Sequence, residues 1–317
     1  MVSLGLIFLI LGGVVMVCYN PLIGFKKEGI VTRNGKLRLN ILGSLADYQY
    51  LEGKSGYEIC PCGYCIGCRL EKSRQWAIRC FHEAQMSSSA YFITFTFADP
   101  FLPEDLSVSV EFHQKFMKRL RKEFGNDIRF MMCGEYGERF GRPHYHYCLF
   151  NIDLSDKVYA FSRNGFKYYM SARLAKVWYY GNHYFSDVTF ESAAYVARYV
   201  TKKQYGESSL MHYNGRHPEF ALMSRKPGLG ASWLEKYGTN VYDNDRVVIR
   251  NRPMKPPKYY DRIFGDKYPE WLEYVKSNRI KAALARAKDS TFQRLFVREL
   301  VKRAAITRLV RPLESEI

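Results

Sequence analysis

Residues 91–97 read YFITFTF and residues 141–150 read GRPHYHYCLF, and the fold turns on how these two stretches pair. The first is aromatic or β-branched at every position, which suits a pleated surface and predicts a strand. In the second, Gly141 and Pro143 close a turn and 144–150 continues as a strand. Residues 127–135 predict another strand, which forms a hairpin with 144–150 across Gly137 and Gly141. Between the first two strands, Val108, Phe112, Phe116, Leu120 and Phe124 recur every four residues, with Lys and Arg on the other side. That is the pattern of an amphipathic helix. Downstream, Ser171 caps a short helix reaching Tyr180, 183–190 predicts a fourth strand and 191–203 a third helix. The order is β, α, β, β, α, β, α, and its first six elements match the ferredoxin-like arrangement. The expected fold class is α+β, with a ferredoxin-like or RRM-like antiparallel sheet, helices on one face, and the other face left for a ligand.

Outward from this core the chain is less regular. Residues 60–68 read CPCGYCIGC, and 70–86 place Trp76, Ala77, Cys80, Phe81 and Ala84 at helical spacing. Residues 19–57 look irregular, with strand-like pieces such as 36–42, and 217–230 is loop-rich. From 276 to 311 there are eleven Lys or Arg against Asp289 and Glu299, in a mostly helical pattern. A solvated basic helix and a contact with a nucleic-acid backbone both fit that stretch. Four segments result: 1–15, an apolar extension; 16–90, with the Cys cluster and a helix; 91–205, the core; and 206–317, a basic, partly helical extension.

The chain has 317 residues, 47% of them apolar, and a net charge of +17 from 48 Lys+Arg against 31 Asp+Glu. That excess attracts a polyanion, of which nucleic acid is the usual one and an anionic membrane surface the rival. The 25 Tyr and 21 Phe suit unstacked bases when they stand beside basic groups, although most such rings pack cores. Of eight Cys, four fall at Cys60, Cys62, Cys65 and Cys68. Such clustering reads as a metal site or reduced thiols, not a disulfide framework, and fits a cytosolic compartment. Residues 1–18 carry no charged side chain. They are a marginal membrane-span candidate without the charged start of a signal peptide; alternatively, translation begins at Met16.

His144 and His146 stand two apart on a strand, so both imidazoles point to the same face and can share one divalent ion. Glu135, across the hairpin, is the expected third ligand, with Glu138 in the turn as the alternative. Two imidazoles and a carboxylate leave positions open for a phosphate oxygen, as Mg²⁺ or Mn²⁺ catalysis requires. On the 191–203 helix, Ala193, Val196, Ala197 and Val200 form an apolar stripe, and Tyr195, Tyr199 and Lys202 fall on nearly the opposite side. The two tyrosines are therefore expected outside the core, as a polar row. A phenolate can attack a phosphodiester and keep the bond energy in a covalent intermediate, and Lys202 can favour the developing charge. The sequence does not rank the two tyrosines, so shared use is expected.

FITFTF at 92–97, GRPHYHYCLF at 141–150 and YVARYVTKK at 195–203 resemble, in this order, the three motifs of the HUH endonucleases. The two-tyrosine third motif is similar to that of microvirus replication initiators, and CGYCIGCRLEKSRQWA at 62–77 narrows the resemblance to their gokushovirus-like branch. The resemblance implies a metal-dependent enzyme of rolling-circle replication in a single-stranded DNA phage. It would nick DNA at the origin through a 5′-phosphotyrosine on Tyr195 or Tyr199 and later rejoin ends. Implied with it are Mg²⁺ or Mn²⁺ at His144, His146 and Glu135, and phosphate contacts from Arg142, Arg198 and Lys203. The implied partners are single-stranded DNA, the viral replicative form and host replication proteins, in the cytoplasm of a bacterial host, with no stable membrane association. Tyr145 departs from the usual aliphatic residue, but it points to the opposite face. Members of this branch begin near MVCYNPL, here 16–22, so residues 1–15 are expected to lie outside the real protein. Cys62, Cys65 and Cys68 are candidate ligands of a structural Zn²⁺, with Cys60 or the distant Cys18 as the fourth.

Three other readings compete. A non-catalytic single-strand binder would use Tyr91, Phe95 and Phe97 of an RRM-like sheet as base platforms. A relaxase or transposase of the same superfamily would share the chemistry. A membrane-anchored basic protein rests on residues 1–18 alone.

Overall fold

In the computed structural model, the strand containing YFITFT lies at the centre of a seven-stranded antiparallel sheet. The structure describes residues 18–31, 37–44, 57–137, 140–199 and 207–308. In chain order its first elements are β1 (Leu22–Val31), β2 (Leu37–Ser44), β3 (Tyr57–Cys60), α1 (Ile66–Met86), β4 (Ala90–Thr96), α2 (Val110–Phe124), β5 (Arg129–Tyr136) and β6 (Pro143–Phe150). Next come β7 (Lys157–Arg163), β8 (Phe166–Ser171), α3 (Ala172–Val177), β9 (His183–Asp187), α4 (Phe190–Tyr199), α5 (Glu207–Tyr213) and β10 (Phe220–Met223). The last are α6 (Ala231–Asp243), β11 (Val247–Ile249), β12 (Arg252–Met254), α7 (Lys258–Lys267), α8 (Pro269–Ala285) and α9 (Phe292–Thr307).

The chain forms two compact units, one from Met1–Glu71 with Asp261–Val310, the other from Lys72–Tyr260 with Arg311–Ile317. Parts of the 16–90 and 206–317 segments thus share a unit. In its described residues the first unit holds a three-stranded sheet ordered β2-β1-β3, together with α8 and α9. The second holds the large sheet, ordered β10-β5-β6-β4-β9-β8-β7. Its central four strands, β5-β6-β4-β9, have the neighbour order of a ferredoxin-like sheet, so the α+β expectation is met. Among the described residues no helix is long and apolar enough to cross a membrane. Residues 1–15, on which the membrane and start-site readings rest, lie outside the described residues.

Helix α2 forms where the four-residue periodicity places it. Ser109 caps it by accepting from the Phe112 N–H, and Gly125, at φ 98°, ends it. Its buried side chains Phe116, Met117 and Leu120 pack with Leu174, Val177 and Trp178 against Phe95, Tyr145, Tyr147 and Leu149 of the sheet. Each fully buried side chain of this size contributes about 1.5–3 kcal/mol. Ser171 caps α3 as expected, accepting from Leu174 N–H, but the helix stops at Val177 rather than reaching Tyr180.

Within the α+β class, one detail is corrected: helices cover both faces of the sheet, not one. The second face carries Phe92, Met131, Cys133, Cys148 and Phe150, and it is covered by Ala77 and Cys80 of α1 and by Ala193, Val196 and Ala197 of α4. All eight residues of β6 are buried, and a strand apolar on both faces needs a layer on each. The base platforms of the single-strand-binder reading fail for the same reason. Phe95 and Phe97 are buried beneath α2 and α3, and Tyr91 packs against that cluster.

Three further stretches differ from expectation. Residues 22–31, 37–44 and 57–60, read as irregular, are strands, because β1 pairs with both β2 and β3. Residues 157–171 form an unexpected hairpin turned by Asn164 and Gly165, both at positive φ. Within the loop-rich 217–230 stretch, β10 pairs along β5 and extends the sheet.

Two histidines are sealed into this unit. His82 stacks on Trp233 at 3.5 Å between ring centroids, and its Nδ1 lies 2.9 Å from Tyr260 Oη. His113 Nδ1 lies 2.8 Å from Tyr147 Oη. Burial pushes both imidazoles down, His82 to about 3 and His113 to about 4.

Candidate active site

The register of the hairpin settles what the spacing of the histidines left open. Glu135 pairs with His144, and Cys133 with His146, across β5 and β6. On the other side Thr94 of β4 pairs with His146. Side chains on one face of paired strands stand close, and here they converge. Glu135 Oε1 lies 2.9 Å from His144 Nε2 and 2.6 Å from His146 Nε2. All three residues are buried, and their ligand atoms lie within 4.8 Å of one another. Glu138 lies outside the described residues.

The outward nitrogens of both rings are held as well. His144 Nδ1 lies 3.2 Å from the Arg142 carbonyl and His146 Nδ1 lies 2.9 Å from Thr94 Oγ1. A carbonyl only accepts, so Nδ1 of His144 carries the proton and Nε2 is the atom turned to Glu135. Partners of this kind orient imidazole ligands in metal sites. Phe92 stacks parallel on His146, with centroids 5.6 Å apart, and stiffens that ring further. Burial works to raise the Glu135 carboxyl, but His146 and His144 outweigh it and hold the group down at about 2. A buried, ionised carboxylate flanked by two fixed imidazoles is a donor set that fits a divalent cation.

Tyr195 joins this cluster. Its hydroxyl donates to Glu135 Oε1 at 3.2 Å and lies 3.4 Å from His146 Nε2. The residue is 4% exposed, which corrects the expectation that both tyrosines sit outside the core. Helix α4 lies on the sheet, and Ser192, Ala193, Tyr195, Val196 and Ala197 are all buried. A helix buried around most of its girth has no solvent row at that point, and the face opposite the apolar stripe meets the histidines instead. Tyr199 ends α4, and its side chain lies outside the described residues, as do Lys202 and Lys203.

The remaining expected residues divide. Arg142 is partly exposed beside the site, with its guanidinium bonded to Asp99 Oδ1 at 2.7 Å and to the Phe97 carbonyl at 3.0 Å. Arg198 stands over the Tyr195 ring at 5.4 Å. Tyr145 points into the opposite core as expected, with its hydroxyl 2.9 Å from Ser109 N. In the other compact unit, Cys62, Cys65 and Cys68 do come together, but the fourth thiol is Cys18, and Cys60 is not one of the group. Cys60 pairs with Leu22 in the β1–β3 ladder, and continuing that antiparallel register brings Cys18 across from the 62–65 segment. Sequence reasoning passed over Thr94 and Phe92. Their signal was their place in FITFTF, on the same face as the histidines.

Comparison with known proteins agrees with this arrangement. Residues 90–204 match the model of a replication-associated protein family, that of ORF2 and its gene II counterparts. The chain is 32% identical to replication-associated protein VP4 of Bdellovibrio phage phiMH2K, over 84% of this chain and 83% of that protein. It is 31% identical to replication-associated protein ORF2 of Spiroplasma virus 4, over 80% of this chain and 82% of that one. Replication-associated protein ORF4 of Chlamydia phage 1 is 29% identical over 68% of this chain and 55% of its own length. No solved structure matches the chain. With the three expected motifs inside the matched family region and more than four fifths of two phage relatives aligned, the chain belongs to the family of phage replication-associated proteins, of the microvirus type.

Proposed function

We propose that this protein nicks single-stranded DNA at a replication origin, carries the 5′ phosphate on a tyrosine, and rejoins ends during rolling-circle replication. The observation that carries this reading is the Tyr195 hydroxyl, 3.2 Å from Glu135 Oε1 and 3.4 Å from His146 Nε2. A nucleophile and a metal-ligand set that share one carboxylate oxygen can act on the same phosphate. A divalent cation, Mg²⁺ or Mn²⁺, held by Glu135, His144 and His146 would polarise a phosphate oxygen and offset its charge.

The chain's own groups supply the rest. The Tyr195 oxygen attacks phosphorus as its proton leaves toward Glu135 Oε1 or solvent. The bond to the 3′ oxygen breaks, and that oxygen takes up a proton and departs as a 3′ hydroxyl. The phosphotyrosine keeps the energy of the broken ester, so attack by a 3′ hydroxyl reverses the step and seals the strand. Tyr199, one turn further along α4, is the proposed second acceptor, with Lys202 and Arg198 offsetting phosphate charge. The substrates are phage single-stranded DNA and the replicative form, met in the host cell with host replication proteins.

An oligonucleotide nicking assay tests the metal part. Chelation with EDTA should abolish cleavage and added Mg²⁺ or Mn²⁺ should restore it. His146→Ala should lose roughly two to three orders of magnitude in rate, since one ligand and the neighbour of the nucleophile go together. Unimpaired cleavage by that variant would place the metal elsewhere. A second expectation follows from the +17 net charge. If about six phosphates are engaged, a fourfold rise in salt should weaken single-strand binding by roughly two to three orders of magnitude. Filter binding at several salt concentrations measures the slope, and a flat response removes the electrostatic contact.

A further inference from the structure

The nicking reaction makes no use of the cysteines, yet four of them are assembled with care. Cys18 Sγ lies 3.6 Å from Cys62 Sγ and 3.8 Å from Cys65 Sγ, and Cys62 Sγ lies 4.0 Å from Cys68 Sγ. The sulfurs of a regular ZnS₄ tetrahedron, with Zn–S of about 2.3 Å, stand about 3.8 Å apart. A disulfide needs about 2.05 Å, and all four thiols are free. Backbone amides point at the sulfurs as well. Tyr19 N–H donates to Cys65 Sγ at 3.3 Å, Cys62 N–H to Cys18 Sγ at 3.3 Å, and Cys65 N–H to Cys62 Sγ at 3.2 Å. Amide donors stabilise charge on sulfur, which ordinary packed thiols do not require.

The geometry points to one zinc ion bound by Cys18, Cys62, Cys65 and Cys68 as a closed, structural tetrathiolate site that clips the segment before β1 to the first turn of α1. The local fold gives it a task. Among the described residues of β1, β2 and β3, Ile23 and Ile59 are the buried aliphatic side chains, and β2 is exposed or half-exposed along its whole length. So small an apolar core rarely holds a sheet together without a staple. Cys18 and Cys62 are 44 residues apart, so the ion closes a long loop as well as ligating the sulfurs. A tetrahedral all-sulfur set with no open position suits Zn²⁺ and leaves no place for substrate. It is therefore distinct from the two-histidine, one-carboxylate site of the other unit.

Zinc content of the full chain, purified without added metal, tests this. One zinc per chain is expected, resistant to brief EDTA and released by a mercurial that caps thiols. His144→Ala and Cys60→Ser should each keep one zinc, whereas Cys18→Ser and Cys65→Ser should fall well below one. Cobalt-grown protein should show the sulfur-to-cobalt charge-transfer band of a four-thiolate site. If the Cys18 and Cys65 variants do not fold, X-ray absorption at the zinc edge of the unaltered protein decides, with four sulfur neighbours expected at about 2.3 Å. A first shell containing nitrogen, iron in place of zinc, loss of zinc from Cys60→Ser, or a metal-free chain with its thiols intact overturns the assignment.

Discussion

Tyr195→Phe is expected to remove the covalent protein–DNA adduct and to lower nicking by about a thousandfold or more, the scale on which losing an activated nucleophile acts. The change deletes one oxygen. That oxygen is the one within reach of Glu135 Oε1 and His146 Nε2. The ring that packs edge-on against Phe92 and His146 is kept, so the fold and the positive surface should be undisturbed and DNA affinity unchanged. Tyr199→Phe should do less to the first cut and more to the rejoining step. The readout is a denaturing gel with the 5′-phosphate side and the 3′ side of the nick labelled in separate tubes. Adduct should appear only with the strand whose 5′ phosphate is released. A Tyr195→Phe chain that forms adduct at the original rate would falsify the assignment of the first nucleophile and move it to Tyr199, with Tyr205 next.

Acid should destabilise this protein well above the pH at which carboxylates titrate. His82 and His113 are held down at about 3 and about 4 by burial, whereas an unfolded imidazole titrates near 6.5. Below that value the unfolded chain takes up protons that the folded chain refuses, so stability falls as pH drops through 6.5. The His113 share of the loss levels off near pH 4 and the His82 share near pH 3. Between pH 7 and pH 5 each histidine costs roughly 2 kcal/mol, and the pair about 4 kcal/mol. That is a large part of the 5–15 kcal/mol typical of a folded domain. Urea unfolding at half-unit pH steps measures the slope. His82→Asn and His113→Asn place a polar atom near the position of Nδ1, where Tyr260 and Tyr147 need a partner. Each should lower stability at pH 7 through lost ring packing, yet flatten the slope between pH 6 and pH 5 by about 1.4 kcal/mol per unit. An unchanged slope in both variants would mean that the rings are already charged in the folded protein.

Much of the active-site geometry was legible beforehand because it is local. Alternation in a strand puts His144 and His146 on one face whatever the rest of the chain does. A hairpin of known turn brings Glu135 opposite, and the register Glu135↔His144 is that hairpin carried to its end. The exposed hairpin at 157–171 was legible too and went unread. Asn164 and Gly165 between two aromatic runs are the strongest short-range hairpin signal. Asn34 and Gly35, between the strands that became β1 and β2, are the same signal.

What the sequence by itself determined, then, is everything set by short range: the amphipathic α2, the paired imidazoles, the Ser171 cap, and the order of elements around them. Tertiary structure alone decided which side of α4 is buried. A helix wheel assigns one apolar face, but α4 lies between the sheet and its other neighbours, so Tyr195 on the far side is also withdrawn from water. It likewise decided that both sheet faces are covered, since a run such as PHYHYCLF shows that a strand is apolar without showing what arrives to cover it. And it chose Cys18 over Cys60 as the fourth thiol. Cys60 is close along the chain but faces as its place in the β3 ladder dictates, while Cys18 is brought across by strand pairing, which no spacing within the cluster encodes.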